Sequence, residues 1–296
     1  MNIKPFIPPI LYNALRKLKP KPKKLEYAVG PYLLSLPPGH TLPVYQGMHK
    51  LFDRFLPVLA KCVEKGQSIV DVGANVGDTP LMMMETSPAN IICIEASDKY
   101  YGYLEKNLAQ LSSEERERIK TYKQMVGTGS YTGELQHYGG SAKLNPEVKN
   151  NAKNTLRLDE LLADESNEIA LIKTDTDGFD FDVLLSAEKI IERDQPILFW
   201  ENQMENEDQM RGYEALYKKL QSYGYDRLYF FDNFGNLVLE LSDYATLKQL
   251  NEYIYTTRKY GCTYTIRFTD VLAATSKSAQ KLEKVIEEYK KEWIRA

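Results

Sequence analysis

Short apolar runs alternate with stretches of helical periodicity from residue 68 onward, and this alternation restricts the fold more than any other feature of the sequence. The apolar runs are continuous, which is typical of strands buried on both faces. We predict strands at Ser68–Val72, 91–95, 119–126, Ile169–Thr174 and Ile197–Glu201. We predict helices at 78–86, 98–110, 158–162, 181–191 and 213–223. This order predicts an α/β fold with a doubly wound, mostly parallel sheet.

The last third of the chain has the sequence pattern of antiparallel strands. Residues 225–241 predict a hairpin around the turn at 232–235, and a further strand is expected near 263–273. Residues 127–155 are rich in Gly, Asn, Ser and Lys and predict a hairpin or a long loop. We therefore expect the parallel sheet to end in an antiparallel hairpin on its C-terminal side.

The sequence divides into four parts. Residues 1–25 form a basic amphipathic arm, residues 26–64 a helical lead-in, residues 65–275 the α/β domain, and residues 276–296 a C-terminal helix that packs on the core. The arm holds seven Lys or Arg residues and no Asp or Glu. A basic amphipathic helix can make peripheral contact with an anionic membrane. The alternative is a helix that packs on its own domain.

Composition excludes several classes of protein. The chain has 38 basic and 41 acidic residues, a formal charge of −3, and no basic groove with interleaved aromatic residues, so nucleic acid is not an expected partner. The three cysteines are far apart and fit neither a disulfide framework nor a zinc site. No apolar run reaches the roughly 18 residues of a membrane span, and no signal peptide is visible. We expect a cytoplasmic protein, with the arm as a peripheral contact to the cytoplasmic membrane face.

A glycine turn follows the first predicted strand of the domain. The turn places Asp71 two residues before Gly73, with Asn75, Gly77 and Asp78 next. Glycine lets the backbone approach a ligand, and the amides of the following helix face it. A carboxylate here repels a pyrophosphate and attracts a sulfonium, which favours S-adenosylmethionine over NAD.

The next predicted strand ends in Glu95, followed by Ala96. Glu95 lies 22 residues after Gly73, a spacing that suits an acid accepting hydrogen bonds from ribose hydroxyls. The carboxyl ends of parallel strands share one edge of the sheet, so we expect Glu95 to lie near the glycine turn.

Two further strand ends supply polar groups to the same edge. Asp175 is best placed to face the reactive end of a cofactor, and Asp177 either binds the acceptor or caps the next helix. Lys173 is expected to pair with a carboxylate. Glu201 and Asn202 end the neighbouring strand and would hold sugar hydroxyls; the alternative for Glu201 is a capping or lysine-paired acid. A Mg²⁺ site on Asp175 and Asp177 is an alternative that we do not predict, because no full set of ligands accompanies them.

These segments together resemble the FkbM-type methyltransferases. The resemblance rests on residues 71–78, Glu95, 156–161, 172–178 and 196–201, in this order and spacing. It implies a class I, Rossmann-like methyltransferase that uses S-adenosylmethionine, and family members commonly methylate hydroxyls of sugars, glycans or polyketide-like products. Two positions depart from the family pattern. Thr176-Asp177 replaces an aliphatic residue and Glu, and Ala96 stands where Pro is common.

The resemblance predicts methyl transfer to an alcohol oxygen of a carbohydrate or other small-molecule acceptor. The alcohol needs a base, and Asp175 is the first candidate. His137, in the Gly-rich segment, is the second. Two other classes remain open: an NAD or sugar-nucleotide enzyme on a similar sheet, and an inactive methyltransferase-like adaptor. The sequence does not predict the oligomeric state.

Overall fold

The computed structural model describes residues 25–148, 155–232, 234–241, 243–262, 266 and 269–295. The predicted arm at residues 1–25 lies almost wholly outside the described residues, so its contact with a membrane stays a prediction. Within the described part of the chain, no helix is long and apolar enough to cross a membrane.

The strand predicted at 119–126 is divided in two, whereas the strands predicted at 68–72, 91–95, 169–174 and 197–201 agree closely with the described strands. They are β1 (Leu25–Val29), β2 (Tyr32–Leu36), β3 (Ser68–Val72), β4 (Asn90–Ile94), β5 (Ile119–Tyr122), β6 (Met125–Val126), β7 (Glu134–Tyr138), β8 (Ser141–Asn145), β9 (Thr155–Leu156), β10 (Ile169–Thr174), β11 (Ile197–Glu201), β12 (Tyr225–Asp232), β13 (Leu237–Leu241) and β14 (Thr269–Thr275). The helices are α1 (Leu42–Met48), α2 (Phe55–Ala60), α3 (Asp78–Thr86), α4 (Asp98–Leu108), α5 (Ser113–Glu117), α6 (Leu158–Leu161), α7 (Asp180–Leu185), α8 (Glu188–Asp194), α9 (Glu207–Ser222), α10 (Tyr244–Lys259) and α11 (Ala279–Arg295).

Eight of the described strands form the central sheet, in the order β13-β12-β14-β11-β10-β3-β4-β5. The five strands from β11 to β5 are parallel to one another. Strand β14 runs antiparallel between β11 and β12, and β13 pairs antiparallel with β12. The predicted doubly wound, mostly parallel sheet with an antiparallel C-terminal part is confirmed. The strand order reverses between β3 and β10, which places a crevice at their carboxyl ends.

Successive residues of the parallel strands enter two separate cores. Ile69 and Leu171 pack in the core on one face, whereas Val70 and Ile172 pack in the core on the other. All four side chains are fully buried. Successive strand residues point to opposite faces, so a strand covered by helices on both sides must be apolar at every position. The continuous apolar runs of the sequence reflect this burial.

Three parts of the fold differ from the sequence-based expectation. The lead-in, predicted as helical, begins with the β1–β2 hairpin before α1 and α2. The helix predicted at 181–191 is two helices, α7 and α8, and α10 is a helix that the sequence analysis does not predict. The C-terminal helix packs on the core as expected, because the ring of Tyr289 lies 4.9 Å from that of Phe55 on α2.

Candidate active site

A cavity of about 580 Å³ opens at the carboxyl ends of β3, β4, β10 and β11. Residues from all four predicted segments line this cavity. They are Gly73, Asn75, Asp78, Glu95, Ala96, Lys173, Asp175, Thr176, Asp177 and Glu201. The strand order therefore brings together the strand ends that the sequence analysis placed at one edge of the sheet.

Gly73 allows two neighbouring strand ends to approach each other. Its φ is +79°, and a Cβ added there would lie 2.0 Å from the carbonyl oxygen of Asp175. The amide of Gly73 donates a hydrogen bond to the carbonyl of Ile94 on the other side, 2.9 Å away. Glycine is thus required for contact between protein segments as well as for any ligand. Gly77, with φ +90°, begins the following helix and lies outside the cavity wall.

We predict that Gly73→Ala destabilises the protein and abolishes binding of S-adenosylhomocysteine, as measured by urea unfolding and calorimetry. Gly66→Ala is the matched control, because Gly66 also has a positive φ, +87°, but open space around its Cβ position. The control should lose about 1–2 kcal/mol from its left-handed backbone alone. Gly73→Ala should lose about 1–3 kcal/mol more through the clash. Equal losses in the two variants would contradict this account.

Glu95 is a buried carboxylate at the cavity wall, 6% exposed. It accepts hydrogen bonds from the backbone amides of Asn75 at 2.9 Å and Ser97 at 2.6 Å. Burial raises the pKa of Glu95 to about 7, although the two amides oppose the shift. A carboxylate has about four lone-pair positions, so two remain for hydroxyl donors. This geometry suits the predicted role in holding a ribose.

Asp71 lies behind the cavity wall and is fully buried. One of its oxygens lies 2.9 Å from Nζ of Lys173, and the other accepts a hydrogen bond from the hydroxyl of Thr79 at 2.5 Å. The prediction that Asp71 attracts the sulfonium of the cofactor is therefore corrected. The carboxylate of Asp71 faces the buried ammonium of Lys173, and the side chain of Asp71 does not line the cavity. Burial lowers the pKa of Lys173, but the carboxylates of Asp71 and Asp175 outweigh burial and the net shift is upward. Asp71 thus holds Lys173 in the wall.

Three acids line the part of the cavity beside β10 and β11. The side chain of Asp175 is 54% exposed, with Oδ2 4.0 Å from Nζ of Lys173. Burial, followed by the charge of Asp175, raises the pKa of Asp177 to about 6. The same two causes raise the pKa of Glu201 well above its ordinary value. Oε2 of Glu201 is buried without a hydrogen-bond partner among the described residues. The helix-capping alternative considered for Asp177 gains no support, because no described side chain caps the N-terminus of α7. Asp180, the first residue of α7, instead accepts hydrogen bonds from the amides of Thr176 and Gly178 in the preceding turn.

Two further predicted site residues, in addition to Asp71 and Gly77, lie outside the cavity wall. His137 is on β7, where Nε2 lies 2.8 Å from the hydroxyl of Ser97. Asn202 is fully buried, and its amide donates to Asn251 at 2.7 Å and accepts from the hydroxyl of Tyr217 at 3.1 Å. The structure therefore gives Asn202 a structural place and does not bring His137 to the acidic end of the cavity.

Other cavity residues come from irregular segments, where the sequence does not fix the direction of a side chain. Asp53, with φ +58°, lies between α1 and α2, and burial followed by the charges of Asp78 and Asp175 raises its pKa to about 8. His40, from the lead-in, also lines the cavity, as do residues of the β7–β8 hairpin. In the sequence only the glycine-rich composition of residues 127–155 hinted at such a covering segment.

The described residues contain no group of three or more His, Cys, Asp or Glu side chains placed to hold a metal ion. The Mg²⁺ alternative on Asp175 and Asp177 gains no support from this arrangement.

A sequence profile described as "Methyltransferase FkbM domain" matches residues 71–227, more than half of the chain. The chain belongs to the FkbM methyltransferase family. This membership confirms the resemblance, the methyltransferase activity and the S-adenosylmethionine cofactor predicted from the sequence.

Several solved structures are similar to this FkbM methyltransferase. The FkbM methyltransferase of Methylobacillus flagellatus KT is 13% identical, with 79% of this chain and 58% of that chain covered and a TM-score of 0.40. A SAM-dependent methyltransferase of Agrobacterium tumefaciens is 9% identical, with 87% and 72% covered and a TM-score of 0.48. A precorrin-6y C5,15-methyltransferase of Geobacter metallireducens GS-15 is 9% identical, with 75% and 86% covered and a TM-score of 0.39. No curated protein matches the chain.

Proposed function

We propose that this methyltransferase methylates a hydroxyl group of a sugar, glycan or related polyhydroxylated small molecule. The observation that carries the proposal is the half-exposed carboxylate of Asp175 at the acidic end of the cavity, 4.0 Å from the buried ammonium of Lys173. An alcohol is a poor nucleophile until a base removes its proton, and a carboxylate that reaches the cavity can serve as that base.

The residues on the β3–β4 side of the cavity fit the cofactor. Gly73 brings its backbone to the cavity wall, and Glu95 keeps lone pairs for two hydroxyls. Asn75, Ala96 and Met125 complete this side of the wall. When bound, S-adenosylmethionine supplies an electrophilic methyl group.

The residues on the β10–β11 side would orient the acceptor. Asp175 would accept the proton of the reacting hydroxyl as the hydroxyl oxygen takes the methyl group that S-adenosylmethionine would supply, with S-adenosylhomocysteine as the leaving product. Lys173 stabilises the carboxylate of Asp175 before the transfer. Glu201, whose buried Oε2 has no hydrogen-bond partner among the described residues, can accept a hydrogen bond from a second hydroxyl. Alignment of the oxygen with the methyl group supplies much of the rate.

The proposal is tested with S-adenosylmethionine labelled in its methyl group and a panel of glycans, free sugars and nucleotide sugars. We expect label in a methyl ether, which survives mild base, whereas a methyl ester would be hydrolysed. Label recovered only in base-labile esters or on nitrogen would contradict O-methylation of a hydroxyl.

We predict that affinity for S-adenosylhomocysteine rises with pH through pH 7. Glu95 has a pKa of about 7 when the cavity is empty, and it must be ionised to accept hydrogen bonds from both ribose hydroxyls. Its ionised fraction increases about tenfold between pH 6 and pH 8, and the affinity should follow. Calorimetry at a series of pH values measures this rise. A Glu95→Gln variant should bind more weakly and lose the rise; an unchanged pH profile in that variant would exclude Glu95 as its source.

A further inference from the structure

We propose that the acceptor is an uncharged or amine-bearing hydroxyl compound, with no phosphate or carboxylate in the part that enters the cavity. This inference rests on the proposed function, because it concerns the molecule that meets Asp175. The inference includes free sugars and amino sugars among the acceptors, and it excludes sugar phosphates, nucleotide sugars and sugar acids.

The first argument is the balance of charged side chains. A smaller cavity of about 100 Å³ lies beside the main one and shares Asp53, Lys173, Asp175 and Glu201 with it. The two cavities are lined by eight acidic side chains, namely Asp53, Asp78, Glu95, Asp175, Asp177, Asp182, Glu201 and Asp270. Among the described residues that line them, Lys173 is the single Lys or Arg. Phosphate and carboxylate ligands are usually bound by several such cations, often by bidentate arginine.

The charge of Lys173 is already used within the protein. Its Nζ lies 2.9 Å from Asp71 and 4.0 Å from Asp175, and the side chain is 4% exposed. His40 adds no cation at neutral pH, because burial lowers its pKa. Its Nδ1 accepts a hydrogen bond from the amide of Leu42, which leaves the proton on Nε2, 3.2 Å from the side-chain oxygen of Asn75. No positive side chain described at the wall is therefore left for an anionic acceptor.

The second argument concerns backbone amides, the other common means of binding anions. The amides of Asn75 and Ser97 donate to Glu95, at 2.9 and 2.6 Å. The amides of Thr176 and Gly178, which precede α7, donate to Asp180, at 3.2 and 3.4 Å.

The amide of Thr128 donates to Asp182 at 3.0 Å. Carboxylates of the protein thus already occupy these five amide groups, which could otherwise hold a phosphate.

The third argument is an acceptor atom that lacks a donor. Oε2 of Glu201 is buried without a partner among the described residues, and Glu201 lines both cavities. On the adjacent strand, Asp270 pairs in register with Glu201. Burial, followed by the charge of Asp175, raises the pKa of Asp270 well above its ordinary value. A ligand with an O–H or N–H donor would satisfy Oε2 of Glu201, whereas a further anion would add an acceptor where a donor is missing.

The experiment uses the full-length protein and methyl-labelled S-adenosylmethionine. A polar small-molecule extract of the source cells is separated by ion exchange into an anionic, a cationic and an unretained fraction, and each is incubated with the enzyme. Asp175→Asn serves as the blank for label that the enzyme does not incorporate. We expect the label in the unretained or the cationic fraction. Label confined to the anionic fraction would overturn the inference.

The same experiment separates failure of the inference from failure of the proposed function. If S-adenosylhomocysteine binds but no fraction accepts label, the proposed hydroxyl acceptor is wrong and the inference falls with it. If the cationic fraction is labelled, Asp177→Asn should raise its KM several-fold. Asp226→Asn, at an exposed acid on β12 outside the cavity wall, should leave KM unchanged. Equal KM values for the two variants would contradict recognition of an ammonium group by the cavity acids.

Discussion

Asp175→Asn is expected to lower kcat by about 10²–10⁴-fold, the usual contribution of a positioned general base. The amide cannot take the proton of the acceptor hydroxyl, yet it has nearly the same shape as the carboxylate. The side chain of Asp175 is 54% exposed, so the substitution should cost little stability. Turnover of the labelled methyl donor measures the effect, and calorimetry with S-adenosylhomocysteine should show near-normal binding.

Asp226→Asn is the matched control for this prediction, because it removes the same charge at an exposed position outside the cavity. Its kcat should equal that of the unmodified enzyme. Retention of normal turnover by Asp175→Asn would exclude Asp175 as the base and make Asp177 the next candidate, since Asp177 lines the same end of the cavity.

Asp71→Ala is expected to lower the free energy of unfolding by about 3–5 kcal/mol, the usual cost of leaving one partner of a buried ion pair alone. Asp71 is fully buried, and its oxygen lies 2.9 Å from Nζ of Lys173, whose side chain is 4% exposed. Without Asp71, the ammonium remains in the wall with the carbonyl oxygen of Gly73 at 3.3 Å and the more distant carboxylate of Asp175 at 4.0 Å. Urea unfolding measures the loss, and weaker cofactor binding would follow from the changed wall.

The double variant Asp71→Leu with Lys173→Met is the control, because it removes both charges and keeps side-chain volume. Replacement of a whole buried ion pair by apolar residues is often close to neutral for stability. We expect the double variant to be more stable than Asp71→Ala. A loss below about 1 kcal/mol for Asp71→Ala would show that the ion pair contributes as little as a surface pair does.

The central strands could be predicted from the sequence because burial on both faces leaves a local trace. The observed β3, β10 and β11 begin and end where the apolar runs do. The sequence has no comparable pattern for the β1–β2 hairpin or for α10. In β1 and β2, exposed or half-buried residues are mixed with buried ones, and this pattern does not separate a short hairpin from a loop.

The sequence was sufficient to predict which strand ends form the candidate site. It was not sufficient to predict the direction in which each of their side chains points. Lys173 and Asp71 are partners on adjacent parallel strands, and this register depends on the order of strands in the sheet. The burial of Asn202 depends on Asn251 from α10, which was not predicted. Asp53 reaches the cavity from an irregular segment, where no periodicity fixes a direction. Tertiary contacts between distant segments decide all of these cases.

The place of β14 between β11 and β12 has a consequence for biosynthesis. A ribosome delivers β11, β12 and β13 before β14, so the growing polypeptide cannot close the middle of its sheet until residue 275 has left the exit tunnel. Until then β11 presents an open edge, and the β12–β13 ribbon has no strand on which to dock. Open edges invite pairing with other chains, so translation that stalls in this interval yields a nascent product that depends on chaperones.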